Sequence, residues 1–371
     1  MSKNKILHIN CNYIGTTLHQ IMIEKLEGLG YKNKVFVPTY DKRLSVIKVN
    51  SNVNVCECFK KWDRMLFDYK QFKIYRAIQR EYDIKNFNLI HAYTLFTDGN
   101  CARKLSKKYG VPYVVAIRNT DVNDFFKLMP HLRKRGIKIM LDAKAIFFLS
   151  ESYRKQVFEK YIPEKYREKL SKKVHIIPNG IDDFWFQNRP LLKEKNLDKE
   201  IKFIYAGRID KNKNILTTQK ALQKLENEGY KVSLKVVGKI VDQKEFERVN
   251  RNRVTNYISA QPKEKLIELY REHDIFIMPS FTESFGLVYA EAMSQGLPVI
   301  YSKDQGFDGQ FSEGVVGYHV VSNDFNDISK QIKLLIRNYT EIYKNLISNS
   351  KKFNWNKICN NYSKIYQNIL K

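Results

Sequence analysis

Pro279-Ser280-Phe281-Thr282-Glu283-Ser284-Phe285-Gly286-Leu287-Val288-Tyr289-Ala290-Glu291-Ala292-Met293 is the stretch on which the reading of this chain turns. It follows an apolar run, Ile275 to Met278, that has the length and bounding proline of a strand, and it opens a helix near Phe285 or Gly286. The first N–H groups of such a helix have no partner within it, and Gly286 lets a ligand approach them, so the loop is a natural cradle for a pyrophosphate. Glu283 just before the helix and Glu291 on it, eight residues apart, can both face one elongated ligand. A carboxylate accepts two hydroxyl hydrogen bonds at once, which suits ribose and hexose diols. The plain alternative is an ordinary strand-turn-helix with two solvated acids, which the helix-forming run Ala290 to Met293 would equally support.

Outward from this stretch, short apolar strands alternate with amphipathic helical stretches, the pattern of parallel sheets covered by helices on both faces. Strands are predicted at Lys5 to Ile9, Lys34 to Pro38, Leu89 to Ala92, Tyr113 to Ile117, Ala145 to Leu149 and Val174 to Ile177. The second half repeats the theme at Lys202 to Ala206, Ser233 to Val237, Tyr257 to Ser259, Ile275 to Pro279, Pro298 to Tyr301 and Gly317 to Val320. An α/β chain of 371 residues exceeds what one core usually supports, so two domains are expected. The turn Pro178-Asn179-Gly180-Ile181-Asp182 and the loose segment Gln187 to Glu200 mark the boundary. The expected domains are residues 1–183 and 184–349, each Rossmann-like, with a terminal helix over 350–371. Ligands of open parallel sheets sit at the carboxyl ends of the strands, which predicts a site in a cleft between the halves.

A second constellation, Tyr205-Ala206-Gly207-Arg208-Ile209-Asp210-Lys211-Asn212-Lys213-Asn214, also stands at a strand end. Arg208 and Lys213 can converge across the turn on one diphosphate, Arg by its planar fork and Lys as a point charge. They would offset the negative charge that builds on a departing nucleoside diphosphate. Read alone, they are equally two surface charges.

Glu283-Ser284-Phe285-Gly286-Leu287 with Glu291 eight positions on, followed by Gly296-Leu297-Pro298-Val299, resembles the E-x7-E signature of glycosyltransferase family 4. Gly207-Arg208 with Lys213-Asn214 is similar to that family's phosphate-binding pair, and Ile177 to Asp182 to its interdomain crossing. The resemblance runs from Ile6 to about Tyr362. It implies a GT-B fold, two Rossmann-like domains facing a cleft with the C-terminal helix returning to the first. It also implies a retaining, metal-independent enzyme that moves a hexose or N-acetylhexosamine from a nucleoside-diphosphate sugar, with UDP favoured, to a glycan or lipid-linked acceptor. Glu291 would hold the ribose, Glu283 the transferred sugar and Arg208 and Lys213 the diphosphate. Ser284 and the backbone of Gly207, Phe285, Gly286 and Leu287 would complete the donor site. Gly15, Thr16, His91, Tyr93, Arg118 and Asn119 would lie on the acceptor side, and Asp121 would join Glu283, Arg208 and Lys213 as a catalytic residue; His91, after the apolar Asn88-Leu89-Ile90, reads more readily as a buried structural histidine than as a catalyst.

The sequence departs from the family in two places. The first loop, Tyr13 to Thr17, has one glycine where members often have a pair, and Arg118-Asn119 precede Thr120-Asp121 where many place a histidine. No general base is assigned. In retaining enzymes of this type, the resemblance implies, the leaving phosphate itself deprotonates the acceptor.

The remaining features bound this reading. The net charge is +26, with 35 Lys+Arg against 18 Asp+Glu in residues 1–185 and 30 against 21 thereafter. That field attracts phosphates, whether of nucleic acid, an anionic membrane face or a substrate, and the Lys-, Asn- and Ile-rich bias of an AT-rich genome accounts equally well for part of it. No nucleic-acid-binding motif is present, and an acidic pair at a phosphate cradle argues against that partner. Five cysteines without a C-x-x-C pair predict reduced thiols, no export signal is seen, and no apolar run reaches 18 residues, so a cytoplasmic or peripheral protein is expected. The dispersed histidines and the absence of an Asp-x-Asp triplet predict no metal and no cofactor. Two stretches, Phe59 to Tyr82 and Phe125 to Met140, interleave aromatic and basic residues. They suit either a helix on the anionic inner face of a membrane or a core helix with a solvated basic side. A non-catalytic scaffold of the same fold is the other alternative, although it would be expected to lose Arg208, Lys213 or Glu283.

Overall fold

The computed structural model describes residues 4–45, 50–190, 197 and 200–371. The chain forms two compact units, Met1–Pro178 with Trp355–Lys371, and Asn179–Asn354. Sequence reading places the divisions at 183/184 and 349/350. Of the loose segment Gln187 to Glu200, residues 191–196 and 198–199 lie outside the described residues, as do residues 1–3 of the basic N-terminus.

The first unit holds seven strands: β1 (Lys5–Ile9), β2 (Lys32–Thr39), β3 (Val53–Glu57), β4 (Leu89–Ala92), β5 (Tyr113–Ile117), β6 (Ala145–Phe148) and β7 (Val174–Ile176). They run parallel in the order β3-β2-β1-β4-β5-β6-β7. Alternate residues feed opposite faces. Leu7, Ile9, Ile90, Ala92, Val115 and Ile117 enter one core, and Ile6, Leu89, Val114 and Ala116 enter the other. Burial on both faces is why these strands read as continuous apolar runs. Five helices matter for the argument: α1 (Leu18–Gly28), α2 (Phe67–Glu81), α3 (Asp98–Tyr109), α4 (Pro130–Asp142) and, from the other end of the chain, the terminal helix Trp355–Leu370, labelled α8 below. That last helix buries Trp355, Ile358, Cys359, Tyr362 and Tyr366, one stripe at helical spacing, in the second of the two cores.

The second unit holds β8 (Glu200–Ala206), β9 (Lys231–Val237), β10 (Thr255–Ile258), β11 (Ile275–Met278), β12 (Val299–Ser302) and β13 (Gly317–Val320), parallel in the order β10-β9-β8-β11-β12-β13. Its helices include α5 (Asp183–Gln187), α6 (Ile215–Asn227) and α7 (Leu287–Ser294). In each sheet the winding reverses once, between β1 and β4 and between β8 and β11, and loops leaving neighbouring strands in opposite directions open a crevice at such a point. The loops that follow β8 and β11 are the two that carry Arg208, Lys213 and Glu283.

Strand β3 escapes the sequence reading. It is an edge strand with only Val53 and Cys56 buried, and Val-Asn-Val-Cys-Glu offers too short an apolar signal to stand out. Among the described residues, no helix is long and apolar enough to cross a membrane.

Candidate active site

Beyond β8 the chain turns sharply at Asp210, whose carboxylate accepts the Lys213 N–H at 3.2 Å and whose second oxygen lies 3.4 Å from the Arg208 guanidinium. The Tyr205 hydroxyl donates to the Arg208 carbonyl at 2.5 Å, which holds the turn against the strand below. Arg208 itself points outward, its side chain 64% exposed. Asn214 takes a left-handed conformation (φ 57°) and donates to the Pro279 carbonyl at 2.9 Å, locking this loop to the one after β11. Asn212 adds a second lock by donating to the Thr282 carbonyl at 2.8 Å and accepting its N–H at 3.0 Å.

The locks bring Lys213 Nζ to 2.6 Å from Glu283 Oε2, with both side chains only 13% exposed. The Glu283 N–H donates to Gln305 Oε1 at 3.0 Å and its carbonyl accepts from Gly306 at 3.2 Å. Only glycine fits at 306, where a Cβ would stand 2.0 Å from the Ser284 carbonyl oxygen. Gly286 caps α7 at φ 75°, a conformation that strains other residues, and a Cβ there would meet the Tyr289 ring at 2.3 Å. The helix thus starts at Leu287, one to two residues later than the sequence indicates, with its first N–H groups beside Glu283.

Glu291 sits on α7, half-buried. The Trp185 indole of α5 donates to it, but desolvation dominates and Asp182 adds repulsion, so its carboxyl is pushed up to about 7. Trp185 is held in turn by Gln295, which donates to its carbonyl at 3.1 Å.

In the first unit, a cavity of about 470 Å³ opens at the carboxyl ends of β1 and β2, lined by Cys11, Asn12, Ile14, Gly15, Thr16 and Thr39 among others. The expected Gly15 and Thr16 are exposed there. Beneath the loop, fully buried Asp98 of α3 stands 3.5 Å from the Cys11 N–H, and burial pushes its carboxyl to about 7. Arg118 is half-buried, its Nε donating to the Tyr93 carbonyl at 3.3 Å, and Asn119 accepts from the Asn123 amide.

Among the described residues, Asp308, Glu313 and His319 form one group whose ligand atoms lie within 4.8 Å of one another. The imidazole Nδ1 is already 3.1 Å from Asp308 and 3.2 Å from Glu313, Tyr301 donates to Glu313 at 2.9 Å and the Asp304 N–H to Asp308 at 2.7 Å. With its atoms so engaged, the group is a strut between β13 and the loop before it.

The arrangement can be set beside known proteins. Residues 19–183 match the family model described as Glycosyltransferase Family 4, and residues 188–353 match Glycosyl transferases group 1. The chain belongs to the family 4 glycosyltransferases. It is 24% identical over 370 residues to an uncharacterized glycosyltransferase of Methanocaldococcus jannaschii, covering 96% of this chain and 95% of that protein. It is 25% identical over 264 residues to the lipopolysaccharide 1,2-N-acetylglucosaminetransferase of Salmonella typhimurium, covering 65% and 67%. The structure of Anabaena HepE in complex with UDP-glucose superposes with a TM-score of 0.67 at 14% identity, covering 98% of this chain and 99% of that one. The fold is GT-B.

The structure of this glycosyltransferase corrects three sequence-based placements. Asp121, expected among the catalytic residues, is fully buried, and its two oxygens accept the N–H groups of Leu95, Phe96 and Arg118 at 3.0, 3.1 and 2.9 Å. It is a positioning residue that ties the loop after β4 to the loop after β5. Tyr93, expected at the acceptor side, is also interior, and so is His91, which takes the buried structural place that the sequence reading set against an acceptor role. His91 stacks on Tyr93 at 4.4 Å and its Nδ1 lies 2.6 Å from the Tyr366 hydroxyl of α8, while the Tyr93 hydroxyl bonds His8 at 3.1 Å. Alternation explains the error, since residues ending a strand buried on both faces point inward whichever way they turn.

The sequence reading also misses Asp210, Asn212, Gln305 and Trp185, which hold the glycosyltransferase's charged side chains in place. Asp210 alone leaves a legible signal, an Asp three residues before the N–H it caps. The others act through pairings 70, 22 and more than 100 positions away, which no local pattern encodes.

Proposed function

We infer that this enzyme transfers a hexose or N-acetylhexosamine from a nucleoside-diphosphate sugar, with UDP favoured, to a glycan or lipid-linked acceptor, with retention of configuration and without a metal. The observation that carries the reading is the half-hidden Lys213–Glu283 pair at the Gly286-capped start of α7, Lys213 coming from the same loop as Arg208. A diphosphate laid on the free N–H groups of Phe285, Gly286 and Leu287 would meet Lys213 on one side and the outward Arg208 on the other. Two cations, one held and one reaching from the surface, and a helix start supply the compensation that a metal gives elsewhere. Glu283, released from Lys213 by the incoming phosphate, would accept hydroxyls of the transferred sugar, and Glu291 those of the ribose. Ser284 and Gly207 complete this donor half. Catalysis then rests on Glu283, Arg208 and Lys213, with the departing phosphate taking the acceptor proton on the face it leaves.

The cavity at Gly15 and Thr16 is the proposed acceptor side, to which Arg118 and Asn119, at the end of β5 in the same unit, would also contribute. The complex of Anabaena HepE with UDP-glucose supports the choice of donor, and the activity named for the Salmonella relative supports a glycan acceptor. The test is thermal stabilisation and hydrolysis across a panel of nucleotide sugars in the presence of chelator. Stabilisation by one of them, weakened in Arg208→Ala, supports the donor site. A response that appears only when a divalent ion is restored overturns the metal-free mechanism.

A further inference from the structure

We propose that the segment 60–80 of the first unit docks this enzyme on an anionic lipid bilayer by inserting an apolar tip and gripping headgroup phosphates with a basic collar. Trp62 is 77% exposed, Met65 79% and Leu66 63% on the turn that enters α2, where isolated rather than clustered apolar exposure is the rule for a soluble surface. Leu128, 66% exposed, belongs to the same surface, because Phe67 packs edge-on against Phe125 and Arg135 of α4 is paired with Asp68. Helix α2 buries Gln71, Ile74, Ala77 and Ile78 and turns Tyr69, Phe72, Arg76 and Arg80 outward.

The charge is complementary to anionic lipid. Residues 60–80 hold seven Lys or Arg and two acids. Both acids are already neutralised, Asp63 by Lys73 at 2.7 Å and Asp68 by Arg135. Beside Phe72 opens a groove of about 730 Å³ lined by Arg76, Arg80, Lys73, Lys108 and Glu57; with Lys73 held by Asp63 and Arg80 by Glu81 at 3.1 Å, Arg76 and Lys108 are the cations it offers a phosphate. An apolar tip followed three to four helical turns on by a cationic groove is the order in which a bilayer presents its own layers, acyl chain first and phosphate above it. A second copy of this chain, itself basic, would be repelled by that collar.

The proposal stands apart from the transfer reading, since no sugar enters its test. Of the three tryptophans, Trp185 and Trp355 are 3% and 2% exposed, so a change in emission on adding vesicles reports Trp62. Full-length protein mixed with vesicles of phosphatidylcholine containing about one quarter phosphatidylglycerol should shift to the blue and co-sediment, and should do neither with phosphatidylcholine alone. Met65→Gln with Leu66→Asn should abolish the shift. Arg76→Gln with Lys108→Gln should weaken binding about 25-fold, at about fivefold per cation. Because all four side chains are exposed, circular dichroism of both variants should match the parent. Equal binding to both vesicle types, indifference to Met65→Gln with Leu66→Asn, or sedimentation without vesicles would each overturn the proposal, the last in favour of self-association.

Discussion

Lys213 and Glu283, 70 positions apart, meet with 2.6 Å between Nζ and Oε2 in a place where each side chain is 13% exposed. Neither charge is fully solvated, so each depends on the other until a ligand takes its place. Removing Glu283 therefore acts twice. Glu283→Ala is expected to lower transfer by about 10²–10³-fold, the usual cost of one transition-state contact, and to lower the melting temperature by leaving a half-buried cation unpaired. Adding Lys213→Met should restore much of the melting temperature and none of the activity. Near-normal turnover in Glu283→Ala would sink the assignment of this site.

Arg208 behaves differently because its guanidinium is 64% exposed and only loosely paired with Asp210 at 3.4 Å. Arg208→Ala should leave the melting temperature unchanged. Donor affinity measured by calorimetry should fall at least about tenfold, as expected for a charge-assisted phosphate contact. An unchanged dissociation constant would remove Arg208 from the diphosphate.

Glu291 sets a pH dependence whose direction can be stated. Its folded carboxyl titrates near 7, above the ordinary value of 4.5, so the folded state holds the proton more tightly than the unfolded one. Stability therefore falls as pH rises between those two values and is level beyond them. Glu291→Gln should melt higher than the parent at about pH 8 and at the same temperature near about pH 4. If the ionised form accepts the ribose hydroxyls, parent affinity for the donor should also strengthen through neutrality, and the variant should lack that slope.

Tyr366 is the tether of α8, with its hydroxyl 2.6 Å from Nδ1 of a fully buried His91. Burial holds that imidazole neutral, its titration pushed well below the ordinary range. Tyr366→Phe orphans one ring nitrogen at a cost of about 1–3 kcal/mol, a drop of several degrees in melting temperature. Donor affinity should be unchanged, because every donor contact proposed above lies in the other unit. A variant that loses donor binding at full stability would contradict that separation.

Much of this was legible because the physics involved is local. Of the thirteen strands among the described residues, twelve overlap a strand read from the sequence, most of them as apolar runs such as Leu89–Ala92 and Tyr113–Ile117, since a sheet covered on both faces needs no alternation. The loop of Glu283 and Gly286 was legible for the same reason, its strand, turn and helix start lying within a dozen residues. Burial was not. Nothing near Asp121 in the chain reveals that three N–H groups from two different loops converge on it, and nothing near His91 reveals Tyr366, 275 positions away. The polar residues that turned inward were those whose partners arrive from a distance.

The return of α8 to the first unit has a consequence for how the protein is made. A ribosome completes residues 179–354 as one uninterrupted stretch, with all the strands of their sheet present. One side of the first sheet must wait, because Trp355, Ile358, Tyr362 and Tyr366, which share a core with Ile6, Leu89 and Val114, emerge only after the whole of the second unit. The unit begun earlier is thus covered later, and until α8 emerges the face it packs on is apolar surface that a chaperone would have to shield.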